Sequence, residues 1–130
     1  MTKIIRQSVL IRATPQRVYG ALINEKTHAK FTGAPARITR KAGGPFTCYG
    51  DYLRGVTLEL VPAKRIVQAW RAKSWKAGAY SVATFALARK ARGRTRLSLT
   101  HVGVPPSAFK GVSKGWPKHY WKPLKAYLEK

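Results

Sequence analysis

A chain of 130 residues is long enough for one domain with a real core, and a hydrophobic content of 45%, with aromatic residues spread along its length, marks it as globular. No run approaches a membrane span, the segment from Met1 to Arg6 lacks the apolar stretch and cleavage site of a secretory signal, and the one cysteine, Cys48, excludes an internal disulfide framework, so a cytoplasmic, reducing setting is expected. The unusual quantity is charge: 26 Lys and Arg stand against 4 Asp and Glu, a net +22.

The first element is a strand. Between Ile4 and Arg12 the residues alternate, with Ile5, Gln7, Val9 and Ile11 on one face. Thr14 and Pro15 then read as the cap and first residue of a helix. Val18, Tyr19, Leu22 and Ile23 give that helix its apolar side to about Asn24, and a second short helix is expected over Lys26 to Phe31. From Ala36 to Val102 the pattern is strand and turn. Strands are expected over Ala36 to Arg40, Phe46 to Tyr49, Gly55 to Val61, Arg65 to Ala72, Tyr80 to Ala88 and Thr95 to Val102. Val56, Leu58 and Leu60 share one predicted face; Ile66, Gln68 and Trp70 share another. Ala83, Phe85 and Leu87 line a third, and Thr95, Leu97, Leu99 and His101 a fourth. Strands at such short spacing imply an antiparallel meander.

The last stretch, Ser113 to Lys130, is an amphipathic helix. Lys114, Lys118, Lys122 and Lys125 fall on one side of the wheel, and Trp116, Tyr120, Leu124, Tyr127 and Leu128 on the other. Pro117 is tolerable near the helix start. Pro123 removes an amide donor and displaces the carbonyl of His119, so a bend near 119 to 123 is expected. Trp121 falls near the lysine side, where it can sit under the ammonium groups, pack beneath the N-terminal strand or anchor a contact. One strand, two short helices, about six more strands and a long helix predict an α+β fold in which a curved antiparallel sheet of six to seven strands grips that helix. Such a helix need not pack flush, which leaves room for a cavity between helix and sheet.

Three segments then carry a resemblance. They are Val61-Pro62-Ala63-Lys64-Arg65-Ile66-Val67-Gln68-Ala69-Trp70-Arg71, the turn Gly43-Gly44-Pro45-Phe46, and the C-terminal set Gly115-Trp116, Tyr120-Trp121 and Pro123-Leu124-Lys125. In their order along the chain they resemble the homologues of the heat-shock-protein-90 ATPase activator, C-terminal domain, within the START-like (SRPBCC) helix-grip superfamily, which includes the birch-allergen fold. The resemblance covers residues 1–130 nearly end to end and implies a helix-grip fold. Its members include hydrophobic-ligand binders, polyketide cyclases and co-chaperones, so the scaffold alone does not fix activity.

Catalytic and metal patterns are poor. His28, His101, His119 and Cys48 show no ligand spacing, none of the four acids is close in sequence to another, and no metal or cofactor is expected. The leading reading is a non-catalytic module with a small hydrophobic ligand between sheet and helix. Its candidate lining is Phe31, Phe46, Gln68, Trp70, Phe85, Leu99, His101, Trp116 and Tyr120, with Gln68 and His101 as orienting polar groups. The same residues equally serve to fill a core. A second reading is a co-chaperone or stress-response protein that meets an acidic partner such as a chaperone through Lys114, Lys118, Lys122, Lys125, Arg89, Arg92 and Arg94. A third is a cyclase- or hydrolase-like enzyme with His101 as general base, which requires His101 in an open pocket. Nonspecific, salt-sensitive nucleic-acid binding follows from charge alone, and the basic residues also read as a surface bias without a dedicated partner.

Overall fold

In the computed structural model, residues 3–129 are described; Met1, Thr2 and Lys130, which the sequence reading placed in the leading segment and the last helix, lie outside them. Strand β1 (Ile4–Ile11) leads into helices α1 (Pro15–Ile23) and α2 (Glu25–Thr32). Thr14 caps α1 by accepting the Arg17 amide at 3.3 Å, and Pro15 supplies the fixed φ of a first helical residue. Asn24 caps α2 by accepting the amides of Lys26 and Thr27, which is why the second helix starts at once.

Six strands follow: β2 (Ala36–Ile38), β3 (Pro45–Cys48), β4 (Leu53–Val61), β5 (Arg65–Ala72), β6 (Ser81–Arg89) and β7 (Thr95–Val102). They form a seven-stranded antiparallel sheet in the order β1-β7-β6-β5-β4-β3-β2, so the first strand closes the sheet beside the last. The inner face carries Ile5, Ile11, Ile66, Ala83, Phe85, Leu97 and Leu99, all buried. Strand β6 runs one residue past the predicted end at Ala88, to Arg89.

Strand β4 departs from the predicted face. Its register slips between Thr57 and Glu59, a β-bulge that places two residues opposite one. Thr57 faces inward across from Gln68, and Leu60 faces inward across from Ile66. Val56 and Leu58, expected to share the inner face with Leu60, point outward and are 36% and 49% exposed. Simple alternation cannot see a bulge. Gly55, on the inner side, sits against β5 so closely that an added Cβ would lie 1.8 Å from the Ala69 carbonyl oxygen.

The last helix begins at Pro106, well ahead of Ser113. Helix α3 (Pro106–Trp116) passes through a π-helical turn (Pro117–Trp121) into α4 (Lys122–Leu128). Gly111 and Gly115 weaken the helical signal of α3, whose partly buried Ala108, Phe109 and Val112 pack against the core. The bend expected from Pro123 is realised as the π turn, where the Lys122 amide donates to the Pro117 carbonyl. Pro123 leaves the His119 carbonyl without its helical donor, and the Tyr49 hydroxyl donates to it at 2.7 Å. The wider turn also rotates Trp121 off the lysine side. Trp121 is 5% exposed, stacks on Trp116 at 5.3 Å and donates from Nε1 to Gln7 Oε1 at 2.8 Å. Of the three placements open to it, packing against the N-terminal strand is the one adopted.

Candidate functional site: an aromatic cleft beside the last helix

Three tryptophans and a histidine meet where the helix crosses the sheet. Trp116, on the last turn of α3, is 2% exposed, and its indole N–H donates to His101 Nδ1 at 3.1 Å. An indole nitrogen can only donate, so Nδ1 accepts and the neutral imidazole holds its proton on Nε2. That N–H donates to Ser81 Oγ at 2.7 Å, and the Ser81 hydroxyl donates to the Trp70 carbonyl at 2.7 Å. The chain of donors is complete and ties α3 to β7, β6 and β5. Burial pushes the His101 pKa down to about 4, so the ring is neutral near pH 7.

In front of this anchor lies a cleft of about 920 Å³. Its floor is Trp70, Trp116, Tyr120 and Leu53. One wall is α3, through Ala108, Gly111, Val112 and Gly115; the other is the β5–β6 loop, through Ser74, Trp75, Lys76 and Ala79. Tyr49, Tyr52 and His119 line it near the π turn, and Pro105 and Ser107 line it at the start of α3. The α3 wall is open because its residues are small: a Cβ on Gly111 would meet nothing within 4 Å. Tyr49 holds φ 54, a left-handed conformation that costs a non-glycine residue about 1–2 kcal/mol. Its hydroxyl bond to His119 helps to hold it there.

Behind Tyr120 is a second, enclosed space of about 10 Å³, too small for an organic ligand, bordered by Leu22, His28, Cys48, Gln68 and Phe85. His28 Nε2 shares a hydrogen bond of 2.9 Å with the Tyr120 hydroxyl, while His28 Nδ1 is buried without a partner. Burial lowers the His28 pKa to about 4 and raises that of Cys48 to about 12, which leaves Cys48 a protonated thiol and no nucleophile.

The predicted lining therefore divides. Trp70, Trp116 and Tyr120 line the cleft. Gln68 and Phe85 border the small space, Phe31 packs on His28 and Tyr120, and Phe46 and Leu99 are core residues at 3% and 1% exposure. His101 is 0% exposed with both ring nitrogens bonded, so neither it nor Gln68 faces the cleft, and His101 lacks the open pocket that its role as general base requires. Sequence reasoning missed the α3 wall and Trp75. The spacing of Gly111 and Gly115, one helical turn apart, was the available signal.

Among the basic candidates, Lys114, Lys118, Lys122, Arg89, Arg92 and Arg94 are exposed. Lys125 is engaged: its ammonium donates to the Leu10 carbonyl at 2.7 Å and pairs with Glu129 at 3.3 Å. Among the described residues no group of His, Cys, Asp or Glu could hold a metal ion, and no helix is long and apolar enough to cross a membrane.

A curved antiparallel sheet closed on a long C-terminal helix, with two short helices after the first strand, is the helix-grip scaffold. The family model described as "Activator of Hsp90 ATPase homolog 1-like protein" matches residues 12–129, and the chain belongs to that family. It is similar to activator of 90 kDa heat shock protein ATPase homolog 1 from Homo sapiens, 30% identical over 112 residues, which cover 86% of this chain and 33% of that protein. The Dictyostelium discoideum homologue is 26% identical over 118 residues, 91% of this chain and 31% of its own. The chain thus spans about a third of the length of these curated relatives. A solved structure described as an HSP90 activator from Plasmodium falciparum has the same fold, with a TM-score of 0.92 at 20% identity over 97% of this chain and 96% of that one.

Proposed function

We propose that this chain is a non-catalytic, single-domain binding module that takes a small apolar molecule into the cleft between α3 and the β5–β6 loop. The observation that carries the reading is the cleft itself: about 920 Å³, bounded by the indoles of Trp70, Trp75 and Trp116 and by a helix wall of glycine and alanine. That volume suits a ligand of a few hundred daltons, and mostly apolar lining with a few polar groups is the usual composition of such sites. Ser74, Lys76, Ser107, His119 and the Tyr52 hydroxyl are polar groups of the lining that can orient it. Native mass spectrometry on protein purified at high salt, which strips electrostatically bound nucleic acid, tests this. A reproducible adduct of a few hundred daltons on the wild type, absent from Gly111→Leu, is the expected result. An adduct retained by Gly111→Leu places the molecule elsewhere and ends the reading.

The family supports a second reading. Relatives named as activators of an Hsp90 ATPase suggest a chaperone as partner, and a net +22 favours an acidic one. In this reading the chain works in the cytoplasm as a co-chaperone module. Its test is stimulation of a chaperone ATPase by the isolated chain; a rate unchanged at saturating chain refutes it.

A further inference from the structure

The outer face of the sheet is not the uniformly charged surface that the composition predicts. Register places Pro45, Val56, Ala69, Val82, Val102 and Ile4 side by side on six consecutive strands. All six alternate with inward residues, so this is one apolar row on the outer face, roughly 24 Å long at the spacing of adjacent strands. Leu58 extends it on β4, and Tyr80, two residues before Val82, extends it just ahead of β6. Ile4, Val56, Leu58 and Tyr80 are four of the five large apolar side chains exposed among the described residues, at 42%, 36%, 49% and 51%. Exposed apolar residues scattered singly need no explanation; a row of them does.

Arginines flank the row. One step along the strands, Arg37, Thr47, Arg54 and Arg71 form the neighbouring row, and the Arg71 guanidinium lies 5.6 Å from the centre of the Tyr80 ring. On the opposite side the neighbouring row is Arg6, Thr100, Thr84, Val67 and Glu59, with Arg65 two residues beyond Val67 on β5. The one acid in these strand rows, Glu59, is held by Arg65 at 2.8 Å and cancels one charge.

We propose that this outer face docks an acidic protein segment whose aliphatic side chains lie on the Val56–Val82–Ile4 row and whose carboxylates meet the arginines beside it. The inference rests on the reading that the chain takes an acidic partner, and it locates that partner on the sheet, away from the lysine side of the last helix. Charge complementarity decides the occupant. A second copy would bring the same arginines and another +22 against this face. Single-stranded nucleic acid needs aromatic platforms for its bases, whereas the centre of this row is Val, Ala and Val.

The test is fluorescence anisotropy with the full chain and two labelled peptides of equal charge, one alternating glutamate and leucine, the other with serine for each leucine. Val56→Ser/Val82→Ser and Arg37→Glu/Arg54→Glu are expected to weaken the Glu–Leu peptide at least about tenfold each. The Glu–Ser peptide should bind at least about tenfold more weakly than the Glu–Leu peptide. Lys114→Glu/Lys118→Glu/Lys122→Glu removes more net charge than the arginine pair, yet it should change the affinity by less than about twofold. The two sheet variants alter different residue classes, and their melting temperatures show that each is folded. A larger loss in the lysine variant moves the partner to the helix and overturns the location while sparing the acidic-partner reading. Equal affinity for both peptides overturns the role of the apolar row. No binding of either peptide ends both. Polyuridylate that binds with the same variant sensitivity overturns the choice of a protein.

Discussion

Replacing Trp116 by phenylalanine removes one hydrogen bond and half an indole from the point where the last helix meets the sheet. Wild-type Trp116 donates to His101 Nδ1 at 3.1 Å, inside a site where His101 is 0% exposed. Phenylalanine has no donor, so Nδ1 becomes a buried acceptor without a partner, which costs about 1–3 kcal/mol. The lost ring packs against Trp70, Phe85 and Trp121, and its removal adds about 1 kcal/mol. A loss of about 2–4 kcal/mol is expected, a large share of the stability of a chain this size. Urea denaturation at pH 7 measures it, with an unchanged slope showing that only stability moved. A double-mutant cycle with His101→Leu separates the bond from the packing; a coupling of about 1–2 kcal/mol is expected between the two positions. A total loss below about 0.5 kcal/mol, or a coupling near zero, refutes the assignment of the donor chain.

Acid should destabilise the protein through His28 and His101. Both have ordinary values of 6.5 that burial lowers to about 4, so above 6.5 neither state is protonated and there is no penalty. As pH falls from 6.5 toward 4 the unfolded chain binds protons that the folded chain refuses, and stability should drop by roughly 3 kcal/mol per histidine. Unfolding midpoints that stay flat across that window contradict the burial of these rings as neutral groups. Gly55→Ala should cost more than about 3 kcal/mol or prevent folding, because its Cβ has nowhere to go; a wild-type circular-dichroism melt would show that β4 and β5 are not as close as described. Self-repulsion at +22 should make the melting temperature rise between low and moderate salt, and a flat or falling trend would mean that the charges are already compensated.

Much of this architecture was legible because the signals were local. Thr14-Pro15, Thr32-Gly33 and the Gly93 hairpin punctuate the chain where the elements end, and the inward faces of β5, β6 and β7 follow from strict alternation. Two departures from the regular pattern share a cause: one inserted residue. The bulge in β4 turned Val56 and Leu58 outward, and the π turn brought Trp121 inward, and neither insertion leaves a mark in a pattern of fixed period. The site was half legible. Trp70, Trp116 and Tyr120 lie on predicted inner faces and do reach the cleft. Gln68 and His101 lie on the same faces but were drawn into the core, because an inward polar group finds a partner in the protein as readily as in a ligand. The α3 wall and Trp75 come from a helix whose signal two glycines weaken and from a loop, where periodicity says least.

The most direct test of the binding-module account is a titration with the neutral probe N-phenyl-1-naphthylamine, followed by quenching of tryptophan emission in wild type and in Gly111→Leu. The cleft beside Gly111 has room for the leucine, and removing a helical glycine should stabilise the fold by about 0.5–1 kcal/mol. The account predicts saturable one-to-one binding to wild type and its loss in a variant that melts higher. Equal binding to both forms, or none to the wild type, would contradict it.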